Sequence, residues 1–238
     1  MKQLLATMVI ALLCSSANSQ NTSALQQAMT NSSRPAQDKA RDPIRKAPEI
    51  LQFMGVKVGD TVLDVIAMGG WYTEVLSYAV GENGKVYMQN NPIPLTQRSA
   101  DERNERLSRL SNVENWIGAI TDIPPNSIDF TMTALNFHDV YNRSADDADT
   151  MLKDILGALK PGGILAVLDH EGNEGADNPT LHRVAFEDAV KAALNAGFVL
   201  VGTSDLLENP DDDHTLGPFD PSLERRTDRL VLKLEKPR

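Results

Sequence analysis

Three groups of residues in this chain have the types and spacing for chemistry. The first is Asp64, late in an apolar β-branched run, with Gly69 and Gly70 close behind it. A strand-end carboxylate followed by a glycine turn suits a nucleotide-like ligand, because glycine admits positive φ and lets backbone approach what is bound. Trp71 and Tyr72 follow the turn, either as pocket walls or as a pair packing at a helix start. The second group is Asn136, His138, Asp139 and Tyr141, in which His138 oriented by Asp139 could act as a general base or be purely structural. The third is Asp169-His170-Glu171, where His170 is an alternative base. No metal is expected, since neither this run nor Asp211-Asp212-Asp213-His214, read as a solvated turn, has a recognised ligand spacing. His182-Arg183 reads as a solvated first turn of a helix or as an anion contact. Arg41, Arg45, Arg225 and Arg226 are either solvated charge or a clamp for an anionic substrate.

These residues need elements to hold them. Thr61 to Leu76 switches from an apolar run to a helical period across the glycines, which reads as strand, tight turn and helix. Before it, Ile50, Leu51 and Met54 form one stripe, with Pro48 at a helix start and Gly55 at its stop. After it come strands over Lys85 to Gln89, Val113 to Ile120, Ser127 to Leu135, Ile164 to Asp169, Val199 to Leu207 and Arg229 to Leu234. Helices lie between them: one opened by a Ser99/Glu102 capping box, one capped by Ser144 with Asp147, and one carrying Phe186, Ala189, Val190, Ala193 and Leu194 on a face. A polar loop is expected from Glu171 to Thr180. Strands alternating with helices give a mostly parallel sheet covered on both faces, a single doubly wound α/β domain. His138 and His170 then both leave strands at the carboxyl edge, where such folds bind ligands.

The composition is that of an ordinary globular protein: 238 residues, 41% hydrophobic, 24% charged. A formal charge of −10 argues against nucleic acid and against an anionic membrane surface as partners. Lys2, the apolar stretch Leu4 to Leu13 and the small residues Ala17-Asn18-Ser19 predict a secretory signal over residues 1–19. The apolar stretch is well short of the ~20 residues that span a bilayer. Residues 20–40, rich in Ser, Asn, Gln and Ala, read as a flexible lead-in, and 41–238 as the domain. The single cysteine, Cys14, lies in the signal, so the exported chain relies on its core and not on disulfides.

The phrases VKVGDTVLDV with its glycine turn, TDIPPNSIDF and LKPGGILAVLDH resemble motifs of the class I S-adenosylmethionine-dependent methyltransferases, over Val56 to Leu234. RDPIRKAPEILQFMG, GGWYTE, LNFHDVY, LHR and FDPSLERRTDR resemble a small exported subgroup of predicted methyltransferases. The resemblance implies a seven-stranded Rossmann-like sheet of order 3-2-1-4-5-7-6 with strand seven antiparallel. It implies S-adenosylmethionine as cofactor, with its methionine part at Asp64, Gly69, Gly70 and Trp71, and its adenine beside Asp122 and Ile123. In the family an acidic residue ends strand two and holds the ribose; here Gln89 or Asn90 would do so without charge assistance. The family's three alternating glycines fall on Ile66, Met68 and Gly70, so only the last matches. The implied function is methyl transfer to a small molecule with His138 or His170 as base. The alternative is an exported, degenerate form of the fold that binds another ligand or partner without catalysis. If residues 1–19 are a cleaved signal, N-terminal mass analysis of protein from its native host should begin at Gln20; an intact Met1 on exported material would contradict it.

Overall fold

The computed structural model describes residues 22–238; the predicted signal lies outside them. β1 (Thr61–Val65) is at the centre of the sheet. It is flanked by β2 (Lys85–Asn90) and β3 (Val113–Ile117) on one side. On the other side lie β4 (Ile128–Ala134) and β5 (Leu159–Gly172). β6 (Val184–Ala185) pairs only with the end of β5, and β7 (Val199–Thr203) and β8 (Arg229–Glu235) finish the sheet. The order is β3-β2-β1-β4-β5-β8-β7. β8 is inserted antiparallel between β5 and β7, and the other long strands are parallel. This is the expected order, with the two-residue β6 added to the count.

The helices are α1 (22–29), α2 (Ala36–Lys39), α3 (Asp42–Arg45), α4 (Ala47–Met54), α5 (Trp71–Val80) and α6 (Gln97–Arg109). α7 (Phe137–Arg143), α8 (Ala145–Ala158), α9 (Asn178–Leu181) and α10 (Phe186–Asn195) complete them. None of the described helices is long and apolar enough to cross a membrane. α4 ends at Gly55 with φ 84°, as its sequence predicts. α6 begins differently: Thr96 caps it, accepting from the Ser99 N–H at 3.2 Å, and Glu102 pairs with Arg98. Ser144 caps α8 through the Asp147 N–H, as expected. The predicted third and sixth strands are shorter, giving way to 3-10 turns at Ile120–Asp122 and Asp205–Leu207.

Strand alternation divides the core in two. Leu63, Val65, Leu165, Val167, Leu230 and Leu232 face α7, α8 and α10. Val62, Ala166, Leu168 and Val231 face α4 and α5. Carried on past the apolar stretch of each strand, the same period sets the polar ends. Asp169 falls on the α7 side, while Asp64, His170 and Arg229 fall on the α4/α5 side. His170 and Arg229 are also direct partners in the β5–β8 register.

The lead-in is where the sequence reading departs most from the fold. Residues 22–29 are helical and Leu25 and Met29 are buried against the α4/α5 core. Asp38 is fully buried and pairs with both Arg41 and the fully buried Arg106 of α6. Arg34 is buried too, in a two-pronged pair with Asp42 at 2.7 and 2.9 Å. A polar composition concealed this, because each buried charge meets its partner through tertiary contact. Asp38→Ala should leave the Arg106 guanidinium buried without its carboxylate and lower unfolding free energy by about 3–5 kcal/mol. Urea titration monitored by circular dichroism measures this, and a loss under ~1 kcal/mol would mean the pair is not integral to the fold.

Candidate functional site

The carboxyl edge of the sheet opens into a crevice of about 640 Å³. Asp64 is on its floor, buried, accepting from the Thr73 hydroxyl at 2.6 Å. Burial is the main influence on this carboxyl, outweighing Thr73, and pushes its pKa up to about 6. Trp71 and Tyr72 line the crevice and also pack on the core, edge to face with ring centroids 4.8 Å apart. Both sequence readings of that pair therefore describe the same two residues.

The β1–α5 loop keeps a glycine-loop shape although two glycines are missing. Ile66 and Met68 hold φ of 53° and 54°, and Gly70 holds 83°. Left-handed backbone costs a non-glycine residue on the order of 1–2 kcal/mol, and it is least natural for a β-branched one. Side-chain amides fasten the loop. The Ile66 N–H donates to Gln89 Oε1 (3.0 Å), the Met68 N–H donates to Asn90 Oδ1 (2.8 Å), and Asn136 Nδ2 donates to the Ile66 carbonyl (3.1 Å). Gln89 Nε2 also donates to the Gly118 carbonyl at 3.0 Å, joining the loops after β1 and β3. A carboxylate could accept the first of these bonds but could not donate the second, which accounts for an amide there. Neither Gln89 nor Asn90 is thus free in the way a ribose contact needs. A Cβ on Gly69 would run into the Glu102 carboxylate, so this glycine serves the close approach of α6. Arg106 holds the same spot, donating to the Gly69 carbonyl at 2.7 Å.

On the far side of this loop lies a second cavity of about 260 Å³, lined in part by Val65, Ile66, Gln89, Asn91, Ala119 and Ile120. Ile66 borders both cavities, where the family pattern has glycine. Asp122 is exposed and Ile123 is buried in the α7/α8 core. Neither lines either cavity, which corrects their expected place beside an adenine. The apolar walls there are Ala119 and Ile120 instead.

The crevice is rich in guanidinium. Arg45 stacks over Trp71 at 4.4 Å and Tyr72 at 5.2 Å. Burial lowers its pKa to about 10, with Arg41 and Arg229 adding to the effect and Tyr72 opposing it. Arg229 donates to the carbonyls of Ile44 (3.3 Å) and Arg225 (2.7 Å). Among the described residues, neither Arg45 nor Arg229 has a carboxylate partner within ion-pair distance. His170 also lines the crevice, with Nδ1 2.6 Å from the Thr227 hydroxyl. Burial, then the charges of Arg229, His138 and Arg183, hold its pKa well below the usual histidine value, so the ring is neutral.

His138 does not reach the crevice. Its Nδ1 is 2.6 Å from Oδ1 of the fully buried Asp169, its own backbone N–H donates to Oδ2 of that carboxylate, and its Nε2 is 3.2 Å from Asp139. Burial alone would lower its pKa, but the bonds to Asp139 and Asp169 prevail and raise it to about 9. A ring held cationic between two carboxylates is a poor base at neutral pH, which corrects the expectation for His138 and for Asp139 as its orienter. Its orienting carboxylate is Asp169, and the sequence signal for that was a charged residue at the end of an otherwise apolar strand. Arg183 is not a solvated first turn: it is fully buried in a two-pronged pair with Asp212 at 2.8 and 2.9 Å. The Asp211–His214 run is accordingly anchored, with His214 Nε2 2.9 Å from Asp228.

A family model, that of the ubiE/COQ5 methyltransferase family, matches residues 42–194, and the chain belongs to that family. S-adenosylmethionine is the cofactor that this membership supports. The demethylmenaquinone methyltransferase of Staphylococcus aureus is 29% identical over 122 residues, covering 50% of this chain and 47% of its own. The chain thus matches about half the length of that curated relative. A SAM-dependent methyltransferase from Aquifex aeolicus shares the fold with TM-score 0.62 at 20% identity, over 90% of this chain and 97% of its own. So does the [4+2]-cyclase SpnF, with TM-score 0.60 at 19% identity, over 82% and 80%. The fold accordingly does not by itself fix the chemistry.

The environment of Asp64 leaves a signature in stability. Its folded pKa lies above the unfolded value of about 3.9, so its contribution is fully present below the unfolded pKa and is lost as pH rises through about 6. The loss is roughly 3 kcal/mol at most. Asp64→Asn should therefore gain stability relative to the parent at pH 7.5 and much less at pH 4.5. Urea midpoints at the two pH values test this, and an equal difference at both would mean that Asp64 keeps an ordinary pKa.

Proposed function

We propose that the chain is an S-adenosylmethionine-dependent methyltransferase acting on a small molecule, with the crevice above Asp64 as its active site. The observation that carries this is a buried carboxylate and an unpaired guanidinium at the mouth of a left-handed loop. Asp64 and Arg45 have the charges to hold the amine and carboxylate of a methionine moiety. The cavity lined by Val65, Ala119 and Ile120 offers apolar walls for an adenine. These residues fit the cofactor's charged end well and its ribose less well, since Gln89 and Asn90 are already engaged.

Bound S-adenosylmethionine supplies a methyl group on a sulfonium, open to in-line displacement. The chain's own part is alignment and proton removal. His170 is the base in this reading: neutral, in the crevice, and oriented by Thr227. The arginines beside it favour an acceptor that carries an anion or becomes one on losing a proton. The acidic chain makes nucleic acid an unsuitable partner. The exported location expected from residues 1–19 belongs to this proposal and is compatible with a chain whose only cysteine lies in that segment. A second reading, a ligand-binding form without catalysis, is favoured by one feature, the Ile66 side chain standing between the two cavities.

Isothermal titration with S-adenosylmethionine and S-adenosylhomocysteine separates the two readings. Binding is expected, at least tenfold weaker in Arg45→Met, and tighter in Ile66→Gly. Affinity should fall as pH drops below about 6, where Asp64 takes up its proton, and Asp64→Asn should flatten that dependence. No heat with millimolar cofactor in folded protein would overturn the methyltransferase reading. Once an acceptor is found, His170→Ala should lose 100-fold or more in kcat with binding retained.

A further inference from the structure

Beyond the crevice, the most unusual group of side chains is a row of two carboxylates and two imidazoles on the α7 side of the sheet. Asp169, His138, Asp139 and His182 follow one another at 2.6, 3.2 and 3.0 Å. His138 and Asp139 are in the first turn of α7, and His182 is the left-handed residue that closes α9. Sequence spacing could not reveal the group, because His182 is 43 residues away from Asp139.

We propose that His138 Nε2, one Asp139 oxygen and His182 Nδ1 form a binding site for a divalent first-row transition-metal ion, which takes the place of the proton that Nε2 otherwise shares with Asp139 and releases that proton to solvent. These three atoms lie within 4.8 Å of one another. Ligands of such an ion stand about 2.0–2.2 Å from it, and so roughly 3–4 Å apart; the Asp139 oxygen meets this with both imidazoles, at 3.2 and 3.0 Å, and binding would draw the two imidazole nitrogens to the same spacing. Two imidazoles and one carboxylate suit zinc, manganese, iron(II), cobalt or nickel; magnesium and calcium prefer oxygen alone.

The support behind the first ligand is the strongest feature. A histidine that binds metal through one ring nitrogen typically gives its other N–H to a carboxylate, which fixes tautomer and direction. Asp169 is placed for this: fully buried, it faces Nδ1 of His138 at 2.6 Å and also accepts the backbone N–H groups of His138 (2.7 Å) and His170 (2.8 Å). A His138 held only by an exposed aspartate would not need such a backing. The other two ligands are accessible, with the Asp139 and His182 side chains 57% and 47% exposed. Three protein ligands with an open outer side match sites that keep a position for water or substrate. The His138 ring is 5.6 Å from that of His170, so an ion here would adjoin the crevice without lying in it. The inference does not depend on the methyltransferase reading.

The test uses the untagged full-length protein, dialysed against Co2+ and, separately, Zn2+ and Mn2+, with bound metal counted by mass spectrometry. One ion per chain is expected, and the Co2+ form should show visible d–d absorption. His182→Ala and Asp139→Asn, both at accessible positions, should each weaken binding at least tenfold with the circular dichroism spectrum unchanged. His214→Ala, removed from the site and paired with Asp228, should bind like the parent. No uptake at millimolar Co2+ or Zn2+ by folded protein would overturn the proposal. Uptake equally strong in His182→Ala and Asp139→Asn, or lost in His214→Ala, would also overturn it, by placing the ion elsewhere.

Discussion

Arg106 is the constraint on which the cofactor end of this molecule depends. Fully buried in α6, it binds Asp38 from the segment before the sheet and donates to the Gly69 carbonyl at the turn after β1. A third contact, 3.3 Å to Glu74, reaches into α5. A guanidinium suits this position because its planar fork serves several acceptors at once, and a lysine would offer a point charge. The β1–α5 loop is therefore clamped from one side by Arg106 and from the other by the amides of Gln89, Asn90 and Asn136. With both sides held, Ile66 and Met68 can occupy backbone conformations they would not adopt alone.

The order of elements was legible because it rests on local features: apolar runs of strand length, a proline and a glycine bounding α4, a serine cap on α8. The sheet order followed from resemblance, and the long strands obey it. What was illegible was nonlocal. Residues 22–40 look polar enough to be loose, yet the buried charges of Arg34 and Asp38 are neutralised by partners as far away as Arg106, and burial follows pairing more than composition. The same applies to Arg183 and Asp212, which read as surface charge and form a buried pair across 29 residues. β6 and α9 were missed for a simpler reason: they are two and four residues long and leave no periodicity to detect.

For the site, the sequence put Asp64, His138 and His170 at the carboxyl edge of the sheet but did not give their directions. His138 and His170 both leave strand ends, and nothing local distinguishes them. Strand alternation does, once the register of β5 is known. It turns His170 toward Arg45 and Arg229 and turns Asp169 toward His138. One histidine is consequently stripped of its proton by burial and neighbouring cations, and the other keeps it between two carboxylates. Gln89 and Asp122 illustrate the limits of carrying a role over from a family pattern. The Gln89 amide is taken by the Ile66 N–H and the Gly118 carbonyl, and Asp122 stands at the surface outside both cavities.

The crevice wall has a consequence for how occupancy and folding are linked. Ile44 and Arg45 come from the beginning of the described chain, Arg225 and Arg229 from its end, and the Arg229–Ile44 bond spans 185 residues. The cavity thus exists only when the chain has closed on itself, so an occupant recognises the complete fold and nothing less. By mass action, a ligand at a hundred times its dissociation constant adds about 2.7 kcal/mol to the stability of the whole molecule. Global unfolding is therefore a reporter of whatever fills the crevice, readable without knowing the reaction.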